Sequence, residues 1–194
     1  MGKRLTCFFM LFAFVAQSQT RYLTAEPNHS SIGFRVPIAN GMTAITGRFT
    51  DYDLQLTLVD GDFSKSQIEF ETQATNIDTG IPDRDSDLQS QSWFDSENTP
   101  EIKFSSKEIL LESEGAYLVK GDFTMKGITK PINFVIKLNG IDNNTIGMSV
   151  RTKINRLDFD IGTDFVHTEI PNFIAEEIDV EIDLWTKRDK RKPD

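Results

Sequence analysis

The feature that most constrains this chain is an alternation of apolar and polar residues with a period of two. Between residues 177 and 184, Ile178, Val180, Ile182 and Leu184 alternate with four carboxylic acids. A period of two puts successive side chains on opposite faces of a strand, whereas a helix would scatter the acids around its circumference. The segment therefore predicts a strand with one buried face and one acidic, solvated face.

Seven other segments show the same alternation, and short turns rich in Gly, Asn, Asp and Pro separate them. They are residues 32–36, 51–58, 68–72, 102–111, 117–123, 132–138 and 146–154. Residues 81–93 lack it, and Pro82 followed by acidic residues predicts a short helix there. The sequence thus predicts a single all-β, antiparallel domain of about eight strands with one short helix. Alternation alone is compatible with a barrel or a sandwich.

Residues 1–18 have the pattern of a secretory signal peptide. A basic start precedes an apolar run over residues 5–16, and small residues stand at Ala16 and Ser18. The run is shorter than the ~20 residues that a membrane-spanning helix needs. We expect cleavage after Ser18, which leaves residues 19–194 as one domain in the bacterial periplasm; the alternative is a buried N-terminal helix.

Charge and cysteine content exclude several functions. Loss of the signal peptide removes the only cysteine, Cys7, and takes the formal net charge from −9 to −11, because two basic residues and no acidic ones are lost. A protein this acidic repels phosphate backbones, so we expect no nucleic-acid partner. Without cysteine the mature chain has neither a disulfide nor a thiolate nucleophile, and it depends on a hydrophobic core.

Few residues offer catalytic or metal-binding chemistry. Neither His29 nor His167 has another ligand nearby at a metal-site spacing, and no nucleophile elbow, phosphate-binding loop or dinucleotide fingerprint occurs. We therefore predict a protein that is not an enzyme and has no metal or cofactor. An enzymatic alternative would depend on the two histidines, Arg84 and the aspartates of residues 83–87.

Five groups of motifs, in order along residues 21–186, resemble the YceI-like family. The matching segments are residues 28–36 (NHSSIGFRV), 46–49 (TGRF), 76–104 with NIDTG, RDSDL, WFD and PEIKF, 121–131 (GDFTMKGITKP) and 155–159 (NRLDF). The chain departs from the resemblance at Ile38, Asp87 and Lys126, where family members often carry histidine. Any role of those histidines is therefore not transferred to this chain.

The resemblance implies a lipocalin-like, extended antiparallel β-barrel in the periplasm. Its apolar tunnel would hold a polyisoprenoid, such as a quinone tail or a prenyl phosphate, or another long-chain lipid, for transport, storage or stress protection. Eleven of the 15 phenylalanines follow residue 18 and serve either as core or as tunnel lining. Our candidates for the lining are Phe34, Phe49, Phe70, Phe104, Phe123 and Phe134, with Ile77, Trp93 and Phe94 near the mouth.

Two alternatives share the same barrel: an enzyme that modifies a bound lipid, and a structural or stress protein whose interior is filled by its own side chains. A homodimer is also left open. Residues 187–192 (KRDKRK) predict a frayed basic terminus with a weak attraction to anionic lipid headgroups, which would give a transient membrane contact.

Overall fold

The computed structural model describes residues 18–142 and 144–192, so residues 1–17 of the predicted signal peptide, Cys7 among them, lie outside the described residues. Most of the described chain forms one antiparallel sheet, with a single α-helix, α1 (Pro82–Leu88). The strands are β1 (Thr20–Ala25), β2 (Ser31–Ile38), β3 (Thr43–Phe49), β4 (Asp53–Val59), β5 (Asp62–Gln73), β6 (Ile77–Asp78), β7 (Glu101–Ser113), β8 (Ala116–Met125), β9 (Ile128–Ile141), β10 (Ile146–Asn155) and β11 (Glu177–Arg188). The predicted all-β class is confirmed.

The sheet closes on itself as an eight-stranded barrel. The ring runs β1-β4-β5-β7-β8-β9-β10-β11, and β1 pairs with β11 to close it. The other three strands extend members of this ring along the chain: β2 follows β1, β3 precedes β4 and β6 follows β5. β11 pairs with β1 near its C-terminal end and with β2 near its N-terminal end, so β1 and β2 share one position in the ring. The barrel therefore has eight strand positions, and each of three positions is occupied by two strands that are consecutive along the chain. Closure excludes the sandwich.

The acidic alternation in β11 is explained by its two faces. On the outside, Asp179 lies 3.6 Å from Arg35, Asp183 lies 2.6 Å from Arg151, and Lys153 lies 3.0 Å from Glu177, so neighbouring strands neutralise three of the four carboxylates. Exposed pairs of this kind contribute only about 0–1 kcal/mol each. The alternate apolar side chains turn inward, and their burial holds the strand in register.

The two ends of the barrel differ. At the floor end, which carries the turns at residues 60–61 and 114–115, the interior is filled by fully buried side chains. These are Leu56, Leu58, Phe63, Val119 and Ile146. The mouth end carries a collar made of residues 39–42, 79–100, 126–127 and 156–176. Main-chain hydrogen bonds join the pieces of the collar, from Ala39 N to Phe173 O at 2.7 Å and from Gly162 N to Ser92 O at 2.8 Å.

The helix is shorter than the predicted span of residues 81–93. It begins with Pro82 at its first turn, as predicted, and ends at Leu88. The chain then reverses, because the amide of Phe94 donates to Leu88 O at 3.0 Å and residues 89–92 form successive turns. Within the described residues, no helix is long and apolar enough to cross a membrane.

The prediction of a frayed basic terminus is wrong. Asp189 is 3% exposed, and its amide donates to Tyr22 O at 2.8 Å. Arg191 donates to both carboxylate oxygens of Asp189, at 2.9 and 3.0 Å, and this pairing lowers the pKa of Asp189. Lys192 donates to Gln55 at 2.5 Å. Arg191 and Lys192 are therefore engaged at the floor end, and the charges nearby in the sequence did not predict the contact of Lys192 with Gln55.

Candidate functional site

The barrel encloses a cavity of about 350 Å³ between the floor core and the collar. One wall is the inner face of β11, where Ile178, Val180, Ile182 and Leu184 follow one another. At about 3.4 Å per residue, these four positions cover ~20 Å along the strand. The volume falls within the ~300–1,000 Å³ of small-molecule sites. The cavity reaches the surface at the collar, where the exposed residues Asp87 and Phe165 belong to its lining.

Eight of the nine predicted lining residues border this cavity. They are Phe34, Phe49, Phe70, Trp93, Phe94, Phe104, Phe123 and Phe134. Several of them are only half-buried although they point inward, because the cavity leaves part of each ring uncovered. Phe104 and Phe134 meet with ring centroids 5.1 Å apart, and Phe123 packs edge-on against Phe159 at 5.4 Å. Their contact with a lipid stays a prediction.

Ile77 is the exception. It lies opposite Phe49 in the short strand β6 and is 6% exposed, but it does not belong to the lining. The same segment reaches the cavity two residues later, at Thr79. Ile77 thus packs in the wall beneath the mouth.

Two glycines set the positions of lining rings. A Cβ atom at Gly47 would overlap the ring of Phe34, and one at Gly121 would overlap the ring of Phe104 and the carbonyl of Ser105. The rings therefore lie flat over main chain that carries no side chain. This explains the glycines within otherwise regular strands.

We expect Gly47→Ala to destabilise the protein by about 1–3 kcal/mol, as overpacking of a well-packed site does. The added methyl group forces Phe34 off Gly47 and into the cavity, so the space in the cavity should shrink as well. Gly140→Ala is the matched control, because nothing lies within 4 Å of the position of its Cβ. Thermal unfolding of both variants is the measurement; equal unfolding temperatures would contradict this account of the ring.

The polar part of the lining is concentrated at the mouth. Its five polar side chains are Thr79, Arg84, Asp87, Thr152 and Arg156, and all but Thr152 belong to the collar. Arg84 donates through Nε to the Thr79 hydroxyl and through Nη2 to the Thr79 carbonyl, both at 2.8 Å. Asp85 in turn accepts from the amide and the hydroxyl of Thr79. Hydrogen bonds thus fix an arginine at the entrance of an otherwise apolar cavity.

Arg156 is a second arginine of this site whose role the sequence did not predict. It is 6% exposed, and its guanidinium donates to four main-chain carbonyls. Those of Ile161 and Gly162 accept at 2.6 and 2.8 Å, those of Ala175 and Ile174 at 3.0 and 3.3 Å. Burial lowers the pKa of Arg156. Hydrogen bonds from this one side chain, at the start of the β10–β11 connection, therefore hold both ends of the irregular segment 160–175.

Ile38, Asp87 and Lys126, the three departures from the family resemblance, all lie at the mouth end. Ile38 forms an isolated bridge with Ile174, Asp87 is exposed at the entrance, and Lys126 donates to the carbonyl of Asp160 at 2.6 Å. The mouth end thus carries an apolar, an acidic and a basic side chain at these three positions.

The two histidines of this chain lie away from the cavity lining. The ring of His29 is 5.4 Å from that of Trp185, and His167 stacks on Phe173 at 4.3 Å. The described residues bring no three potential metal ligands together. Each histidine is thus accounted for by local packing.

Comparison with known proteins identifies the family. The model of the YceI-like domain matches residues 23–185, nearly all of the barrel. The chain belongs to the YceI-like family. A UPF0312 protein of Serratia proteamaculans is 33% identical over 144 residues, which cover 72% of this chain and 74% of the relative. One from Photorhabdus laumondii is 31% identical over 141 residues, covering 70% and 72%.

Solved structures share the YceI-like fold at low identity. BcnA of Burkholderia cenocepacia superimposes with a TM-score of 0.74 at 18% identity, covering 83% of this chain and 98% of BcnA. A polyisoprenoid binding domain from Saccharophagus degradans gives a TM-score of 0.67 at 12% identity, covering 88% and 100%. At these identities the likeness concerns the fold.

Proposed function

We propose that the protein is a periplasmic carrier that holds a polyisoprenoid, or another long-chain lipid, in its barrel cavity. The observation that carries the proposal is the 350 Å³ cavity, whose lining is apolar apart from a few polar side chains near the mouth. Each methylene that leaves water for such a lining contributes about 0.8 kcal/mol, so an apolar chain binds with little polar help. The domain from Saccharophagus degradans, named for polyisoprenoid binding, has the same fold.

The distribution of polar groups favours an amphipathic lipid with its tail inward. Arg84 and Thr79 stand at the entrance, whereas the inner walls are isoleucine, valine, leucine, methionine and phenylalanine. A head that accepts hydrogen bonds, such as a quinone carbonyl or a phosphate, can therefore stay at the mouth while the tail fills the interior. Periplasmic location and transport rest on the predicted signal peptide.

The cavity favours this function over a barrel filled by its own side chains. The floor end shows what a filled interior looks like, with Leu56, Leu58 and Val119 fully covered, and the filling stops about halfway along the barrel. An enzyme acting on a bound lipid has less support. General acid–base catalysis needs a positioned pair of titratable groups, and the two histidines lie outside the lining.

The test is organic extraction and mass spectrometry of the protein purified from a periplasmic fraction. We expect one isoprenoid or acyl species in a near-stoichiometric amount. If the extract is empty, the protein is incubated with a quinone and with a prenyl phosphate, and extraction is repeated. No retained lipid after both steps would contradict the carrier function.

A further inference from the structure

The collar exposes apolar side chains around the entrance of the cavity. Val166 is 84% exposed and Met42 86%, and Ile81 and Phe165 are about half exposed. They come from three separate pieces of the collar: the β2–β3 turn, the residue before α1 and the β10–β11 connection. We call these four side chains the rim.

The rim is continuous with the cavity. Phe165 is both exposed and part of the lining, and its ring lies 5.8 Å from that of Trp93, which also lines the cavity. Trp93 in turn covers Gly162, where a Cβ atom would overlap the indole. An apolar path thus leads from the interior past Trp93 and Phe165 to the outside of the collar.

The charge of the collar restricts what the rim can contact. Residues 39–42, 79–100, 126–127 and 156–176 contain ten carboxylates and three basic residues. The three basic side chains are engaged or buried: Arg84 with Thr79, Lys126 with Asp160, and Arg156 with its four carbonyls. A second copy of the chain would bring an equally acidic collar, and an anionic membrane would likewise be repelled. A partner surface that has no net charge and an apolar interior would not be repelled by the acidic collar.

From this combination we propose that the collar docks on a lipid bilayer of low net charge, with the rim side chains inserted among the lipid headgroups. The inference rests on the proposed function, because a bilayer is the reservoir from which a long-chain lipid must come. With the mouth against the bilayer, the lipid tail passes between membrane and cavity along Phe165 and Trp93 without entering water. The basic tail lies at the opposite end of the barrel and takes no part.

Flotation with phosphatidylcholine vesicles tests this proposal on the purified protein. We expect wild-type protein to float with the vesicles and the double variant Met42→Ser/Val166→Ser to bind at least tenfold more weakly. The matched control is Leu111→Ser/Ile141→Ser, which removes two exposed apolar side chains near the floor end, 62% and 53% exposed. It should bind like the wild type. Adding phosphatidylglycerol at low salt should weaken binding, and salt should restore it.

The result that overturns docking is wild-type protein that stays unbound, or rim and control variants that bind equally. Binding that rises with phosphatidylglycerol would also overturn it, as would sedimentation of a dimer that the rim variant abolishes. Lipid extraction of the same samples separates the two proposals. If the rim variant retains lipid loaded beforehand but acquires it more slowly from vesicles, both stand. If the rim variant retains lipid and binds vesicles like the wild type, the docking proposal is wrong and the carrier function stands. If neither the wild type nor any variant holds lipid, the carrier function is wrong.

Discussion

Phe123→Asp should abolish lipid retention. Phe123 lies on the inner face of β8, borders the cavity and packs against Phe159. A carboxylate at this position stays hydrated and prevents about three methylenes of a lipid chain from contacting the apolar lining. At ~0.8 kcal/mol for each methylene, the loss in binding free energy is ~2.4 kcal/mol. That loss is roughly fiftyfold in affinity. Retention is measured by extraction and mass spectrometry of the folded variant.

The control for Phe123→Asp is Val135→Asp, which puts the same carboxylate on the outer face of the adjacent strand, where the side chain is 37% exposed. That variant should retain lipid. Since removal of a buried phenylalanine costs about 3–5 kcal/mol, Phe123→Asp can fail to fold. Val180→Trp then decides the question, because an indole in place of the isopropyl group occupies part of the cavity without adding a charge. Normal retention in Val180→Trp would show that the lipid does not lie in this cavity.

The strands were predictable from sequence wherever one face is buried. In β4, β9, β10 and β11 most inward positions are apolar, with Thr152 and Thr186 as exceptions, and most outward positions are polar, so the period of two is visible over seven or more residues. β1 and β3 were missed because the alternation of apolar and polar residues is weak there. The short 3-10 helices Pro27–His29, between β1 and β2, and Ala74–Asn76, between β5 and β6, were also missed, because each depends on where the neighbouring strands end.

The lining was partly predictable for the same reason. The alternation placed Phe70, Phe104, Phe123 and Phe134 at inward positions of their strands. The alternation does not indicate how far along the barrel buried side chains fill the interior. The cavity could therefore be found only in the structure. The roles of Arg84 and Arg156 were also hidden. Their partners are mostly main-chain carbonyls, which carry no signature in the sequence.

Arg156→Met should cause the largest loss of stability of any single substitution in the collar. Methionine replaces the apolar stem but leaves four carbonyls without their donor, two of them in hydrogen bonds that are fully buried. An unsatisfied buried acceptor costs about 1–3 kcal/mol, so a total of ~4 kcal/mol is expected. For a chain of this size that corresponds to a fall in Tm of about 8–16 °C. Calorimetry of the purified variant gives this value directly.

Arg151→Met is the matched control, because Arg151 lies in β10, the strand that directly precedes Arg156, but is exposed and pairs with Asp183 on the outer face. It should cost less than about 1 kcal/mol. Arg156→Lys should stay close to Arg156→Met, since one ammonium group cannot span carbonyls at both ends of segment 160–175. Hydrogen exchange locates the effect: amides of residues 161–175 should lose protection before those of β8 and β9. Equal stability of the Arg151 and Arg156 variants would mean that solvent, rather than this guanidinium, satisfies the four carbonyls.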